Sequence, residues 1–131
     1  MSKLLRGVML TLIVLLATSA YAQQGPQGRW WRTARVSQQL NLTPGEIQQL
    51  ETTWNQSREK MIKLKGQVET EQFRLQTLLE KRKLDENAVR NQNRKLEDAR
   101  SKLADERTAF VVQVRKIIGH DRFQQLLDMR R

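Results

Sequence analysis

The sequence predicts an all-α protein built on one long antiparallel helical hairpin with short flanking helices. Three observations carry that reading. From Ile47 to Leu78 one row of positions recurs at alternating spacings of three and four residues, with no proline inside the run. This is the heptad pattern of a helix that buries a single seam. A strong helix-start signal stands before the run, and a short basic connection with a second helix cap stands after it.

The chain begins with Lys3 and Arg6, an apolar stretch from Val8 to Ala17, and the small-residue ending Ala20-Tyr21-Ala22. That order is the pattern of an export signal, with cleavage expected after Ala22. The apolar stretch is about half of the roughly 20 residues needed to span a bilayer, so no stable membrane insertion is expected. The expected organisation is a signal peptide over 1–22, a flexible leader over 23–28 and a single helical domain over 29–131, in the periplasm. "RWWRTARVSQQL" follows, with Arg29, Arg32 and Arg35 and no acid. Trp30, Trp31, Ala34 and Leu40 suit one short helix with a heavy aromatic face. Neighbours on a helix point about 100° apart, so one of the two tryptophans is left over for a partner surface.

Thr43 is a cap residue, Pro44 takes the first helical position, and Glu46 stands three after the cap: a capping box with a favoured proline. Leu42 and Ile47 flank it as a hydrophobic staple. The seam of the first long helix then reads Ile47, Leu50, Trp54, Ser57, Met61, Leu64, Val68, Glu71, Leu75 and Leu78. Ser57 and Glu71 make it imperfect, and Gly66 weakens the helix by about 1 kcal/mol against alanine. "KRKLDEN" closes it: Lys81, Arg82 and Lys83 suit the negative end of a helix dipole. Asp85 caps the next helix, with Leu84 and Val89 as a second staple. So short a connection folds the two long helices back antiparallel.

The second long helix carries Val89, Leu96, Ala99, Leu103, Phe110, Val114 and Ile117, with Gln92 and Glu106 thinning its first half. Gly119 stops it. A last helix follows, with Asp121 in its first turn and Phe123, Leu126 and Leu127 on its apolar face; Ile118 and Phe123 form a third staple. Thus "LTPGEIQQL", Leu42 to Leu50, and "IGHDRFQQL", Ile118 to Leu126, are twin helix-entry phrases that the hairpin brings side by side. At about 1.5 Å per residue the long helices measure some 50–55 Å. Two narrow seams bury little, so a homodimer is expected to complete the fold.

Composition narrows the function. Without Lys3 and Arg6, the 24 basic residues become 22 against 14 acidic ones, a net charge near +8 for the mature chain. The charges are mixed in sign along helical faces and the chain is exported, so nucleic acid is not the expected partner; anionic lipid, lipopolysaccharide or unfolded acidic clients are. There is no cysteine, no glycine-rich phosphate loop and no nucleophile with a base beside it. Neither an enzyme nor a cofactor is expected. His120 is the single histidine and the one weak candidate for a metal ligand, with Asp121 its nearest helper; a zinc site generally draws on several ligands. Trp30, Trp31, Arg32, Arg35 and Met61 are candidate client contacts, since aromatic and arginine side chains anchor contact surfaces.

These features together resemble the Spy and CpxP family of periplasmic proteins, with its zinc-resistance-associated and heavy-metal-sensor relatives, marked by two LTxxQ motifs. "LTPGE", Leu42 to Glu46, matches the first motif with Glu for the final Gln. "IGHDR", Ile118 to Arg122, keeps the aliphatic start of the second and the Gln-Gln-Leu after it, and "GRWWR", Gly28 to Arg32, is similar to the lead-in of heavy-metal-sensor members. The resemblance implies a cradle-like intertwined homodimer acting as an ATP-independent chaperone or an envelope-stress modulator that touches a sensor kinase. The metal-sensing branch implies several histidines, from which this chain departs. The function expected is therefore a holdase for unfolded or envelope proteins; the alternative is a heavy-metal-responsive sensor or modulator of a sensor kinase. A trimeric coiled-coil envelope protein that grips outer-membrane clients ranks third.

Overall fold

The computed structural model describes residues 28–131, so the expected export signal and nearly all of the leader lie outside the described residues. A 3-10 turn, Trp30–Arg32, is followed by helices α1 (Ala34–Gln39), α2 (Pro44–Glu80), α3 (Glu86–Ile118) and α4 (His120–Asp128). The described residues contain no strand. α2 and α3 pack along each other as the hairpin, the 3-10 turn packs on α1, and α4 folds back on the end of α3.

α2 begins where the capping box places it. Thr43 Oγ1 accepts from the Glu46 backbone N–H at 3.1 Å, while the Glu46 carboxylate accepts from the Thr43 N–H at 3.0 Å. α3 is capped by Asp85, whose carboxylate accepts from the Ala88 N–H at 3.1 Å. The seam follows the heptad closely. Between Trp54 and Glu80 the positions not fully exposed are Trp54, Ser57, Met61, Leu64, Val68, Glu71, Leu75 and Leu78. On α3 the buried positions are Gln92, Leu96, Ala99, Leu103, Val114 and Ile118. The two polar residues of the mid-hairpin satisfy each other. Gln92 Nε2 donates to the Glu71 carbonyl at 3.0 Å and to its carboxylate at 2.5 Å, and Arg74 holds the other carboxylate oxygen at 2.9 Å. A buried amide without such partners would cost about 1–3 kcal/mol.

The dense core sits at one end, where the hairpin's feet meet the flanking helices. Trp31, Leu40, Leu50, Val114, Ile118 and Leu126 form it, with Leu42, Ile47, Trp54, Phe110 and Phe123 packed around them.

Two local expectations are corrected. The single short helix expected from Trp30 onward is a 3-10 turn and a separate α1, because Thr33 between them is extended (φ −73, ψ 117). Leu84 does not staple to Val89. Both caps of the connection, Lys81 and Asp85, have extended backbone, so the chain passes around the tip and leaves Leu84 56% exposed. Lys81, Arg82 and Lys83 follow α2 as expected, with Lys81 its C-cap residue at the negative end of the helix dipole.

Candidate functional site

The twin phrases do lie together, and they are locked by a residue pair taken from equivalent places in each. Glu46 closes "LTPGE" and Arg122 closes "IGHDR". Arg122 Nη1 donates to Glu46 Oε1 at 2.9 Å, and Arg122 Nη2 donates to Glu46 Oε2, a bidentate pair between residues 76 apart in sequence. Arg122 Nε donates to the Ile118 carbonyl at 2.8 Å, which fixes the guanidinium at the joint between α3 and α4. The Arg122 fork, and after it the Thr43 backbone N–H, hold the Glu46 carboxyl down at about 2. Gly119 makes the joint itself. Its φ of +81 lets α4 begin one residue after α3 ends, a backbone that favours glycine over the threonine of the motif. Consequently α4 has no side-chain cap, and Asp121 stands in its first turn without capping it.

A second clamp joins the aromatic segment to α2. Glu51 accepts from the Trp31 indole N–H at 2.8 Å, from Arg32 Nε at 2.6 Å and from Arg32 Nη2 at 3.0 Å. Hydrogen bonds from Arg32 and then Trp31 keep its carboxyl at about 2. Above this clamp the rings interlock. Trp31 meets Trp30 edge-on at 5.4 Å and Trp54 at 6.2 Å, and Trp54 meets Phe110 at 5.5 Å. Such edge-to-face geometry is the favourable one for aromatic quadrupoles.

On the outside of this cluster lies a small cleft of about 80 Å³ among Trp30, Phe110, Val111, Phe123, Leu127 and Arg130. Val111, Leu127 and nearby Met129 are exposed. The foot is thus a rigid platform with an apolar, cation-rimmed notch. Chemically it can hold an apolar side chain.

The five candidate client contacts separate. Trp30 is half-buried at the cleft and Arg35 is exposed, whereas Arg32, though exposed, is engaged by Glu51. Trp31 (1% exposed) and Met61 (8% exposed) are inside the hairpin and are withdrawn as surface contacts: the extended Thr33 turns Trp31 inward, and Met61 falls on the seam. Leu42, Ile47, Ile118 and Phe123 take their places at the feet, with Pro44 at the start of α2. His120 is exposed, its Nδ1 2.9 Å from Asp121 Oδ1. Among the described residues no group of three His, Cys, Asp or Glu stands close enough to hold a metal ion. Sequence reasoning missed Arg122 and Glu51. The opposite charges at matching places in the twin phrases were the available signal for Arg122; nothing local marked Glu51.

The profile of a family described as heavy-metal resistance matches residues 6–125. No curated protein and no solved structure matches the chain significantly.

Proposed function

The chain belongs to the heavy-metal-resistance family, which is the Spy- and CpxP-like, zinc-resistance-associated family, and from that premise we propose that it is a periplasmic, ATP-independent holdase for unfolded envelope proteins. One observation carries this reading: large apolar side chains stand in the open among unshielded cations. Ile62 is 61% exposed on α2, with Arg58, Lys60, Lys63 and Lys65 exposed around it, and Phe73 is 69% exposed three turns on. Scattered apolar contacts in a positive field suit weak, fast binding of acidic unfolded chains, whereas a stable fixed interface would concentrate them in one patch. The notch at Trp30 adds one further anchor. A homodimer, which would bring two such surfaces together, is part of the proposal.

The family description is also compatible with a second reading, a metal-responsive modulator that acts on a sensor kinase. One experiment tests both. A chemically unfolded client is diluted into the purified protein without ATP, first with chelator and then with zinc, and its aggregation is followed by light scattering. The holdase reading expects suppression in chelator. Suppression only with zinc, accompanied by a rise in thermal stability, would replace it with the metal-responsive reading.

A further inference from the structure

The end of the hairpin opposite the foot has a composition that neither the fold nor the holdase reading uses. α2 stops at Glu80 and α3 starts at Glu86, and residues 81–87 are all exposed. Lys81, Arg82 and Lys83 stand there in succession, and none has an ion pair within the described residues. The neighbouring acids are held along the helices but keep their charge, so the cations are flanked by carboxylates. Glu80 accepts from Gln76 at 2.9 Å, Asp85 caps α3, and Glu86 lies 3.5 Å from Arg90. Leu79 and Leu84 bracket the cations and are 55% and 56% exposed. Lys81, Lys83 and Leu84 line one open hollow at the tip together with Asp85, Glu86 and Asn87. An exposed leucine where a staple was expected, beside three free cations, requires an account.

We infer that the hairpin tip docks on an anionic phospholipid surface, with Lys81, Arg82 and Lys83 at the lipid phosphates and Leu79 and Leu84 in the headgroup region. The charge complementarity is local: Lys81, Arg82 and Lys83 are adjacent and exposed and can face a plane of phosphates, with Glu80, Asp85 and Glu86 to either side of them. The shape decides against a folded protein partner. A stable protein interface needs roughly 1,200 Å² or more of total buried surface and complementary packing, which a connection of five residues at the end of a rod does not offer. A lipid surface needs no shape complement. It rewards each basic residue near it separately, by about fivefold in affinity, and accepts isolated apolar side chains beside them. Docked in this way, the hairpin would stand off the membrane with its foot some 50 Å away, at about 1.5 Å per residue.

The test is co-sedimentation of the mature chain, from Gln23 onward, with vesicles of phosphatidylglycerol and phosphatidylethanolamine, and with phosphatidylcholine vesicles, at 0.1 M salt. The expected result is binding to the anionic vesicles alone, released at 0.5 M salt. The triple variant K81Q/R82Q/K83Q should bind on the order of 100-fold more weakly, at about fivefold per cation. L79S/L84S should also weaken binding, at unchanged helicity. A shaft variant with the same loss of charge, K60Q/K63Q/K65Q, should retain most of the binding. Equal losses in the tip and shaft variants would overturn the proposal in favour of a general effect of net charge. Unchanged vesicle binding in the tip variant, with loss of aggregation suppression instead, would overturn it in favour of a client contact.

Discussion

Glu46→Gln isolates the lock between the twin phrases from the cap that shares its carboxylate. A glutamine in this position keeps an oxygen for the Thr43 N–H, so the capping box survives. The charge facing Arg122 is removed. The carboxyl is held at about 2 against an ordinary 4.5. Taken at full value, a carboxyl lowered that far corresponds to roughly 3.4 kcal/mol. The side chains of Glu46 and Arg122 are 18% and 28% exposed, so solvent screens part of this, and about 1–2 kcal/mol is the expected cost. For a domain of this size that lowers the melting temperature by about 5–15 °C at neutral pH. The sign with pH follows from the depressed carboxyl. Its contribution is present above about 4.5 and is lost as pH falls toward about 2. The gap between wild type and variant should therefore shrink by roughly half or more at pH 3. Thermal denaturation followed by circular dichroism, in a double-mutant cycle with Arg122→Gln, measures it. A gap that is the same at pH 7 and pH 3, or single effects that simply add, would refute the lock.

Two further substitutions test the foot and the joint. Leu50→Ala removes a side chain that is fully buried in the middle of the foot cluster and should cost about 2–5 kcal/mol in urea denaturation; a loss under 1 kcal/mol would place the main core elsewhere. Gly119→Ala adds a methyl group that meets no atom within 4 Å, at φ +81 and ψ 172, so any loss is backbone strain, about 1–3 kcal/mol. An unchanged melting temperature would mean that the joint relaxes to another backbone without disturbing the pair it positions.

The shaft of the hairpin was legible because it depends on one periodicity. A single row of heptad positions on α2 is buried, and the polar residues in that row, Ser57 and Glu71, are real flaws in the seam. The partner of Glu71 was not legible. Gln92 faces it only because the turn sets the register of the two helices, and a register error of one residue would point the amide away. The two tryptophans show a similar limit. Helical geometry says that adjacent side chains diverge, so one of the pair must differ from the other. Which one turns inward depends on the extended Thr33 and on an acceptor, Glu51, lying 20 residues ahead of Trp31. Leu84 failed as a staple for the opposite reason: the cap at Asp85 is real, but the connection before it runs outward.

The distribution of these interactions gives the hairpin a direction. At the foot, a cluster of aromatic and aliphatic side chains is closed by two carboxylate clamps, Glu46 on Arg122 and Glu51 on Trp31 and Arg32. One turn above the aromatics the seam carries Ser57, and Ser57 Oγ, Trp54 Nε1 and Arg107 Nε all lack a protein partner there. Beyond it, Gln92 with Glu71 is the mid-hairpin tie, and past Glu71 the seam of α2 has only the half-buried Leu75 and Leu78 before the open tip. Opening free energy follows local burial and satisfied hydrogen bonds, so the hairpin should loosen from the tip downward while the foot stays closed. Glu46 and Arg122 stand at the last position of each twin phrase, where the motif has glutamine, and they pair with each other so that neither charge is left alone. A single substitution at either place would strand a partly buried charge. The two residues act at the end of the hairpin that stays closed, where the buried cluster and both carboxylate clamps lie together.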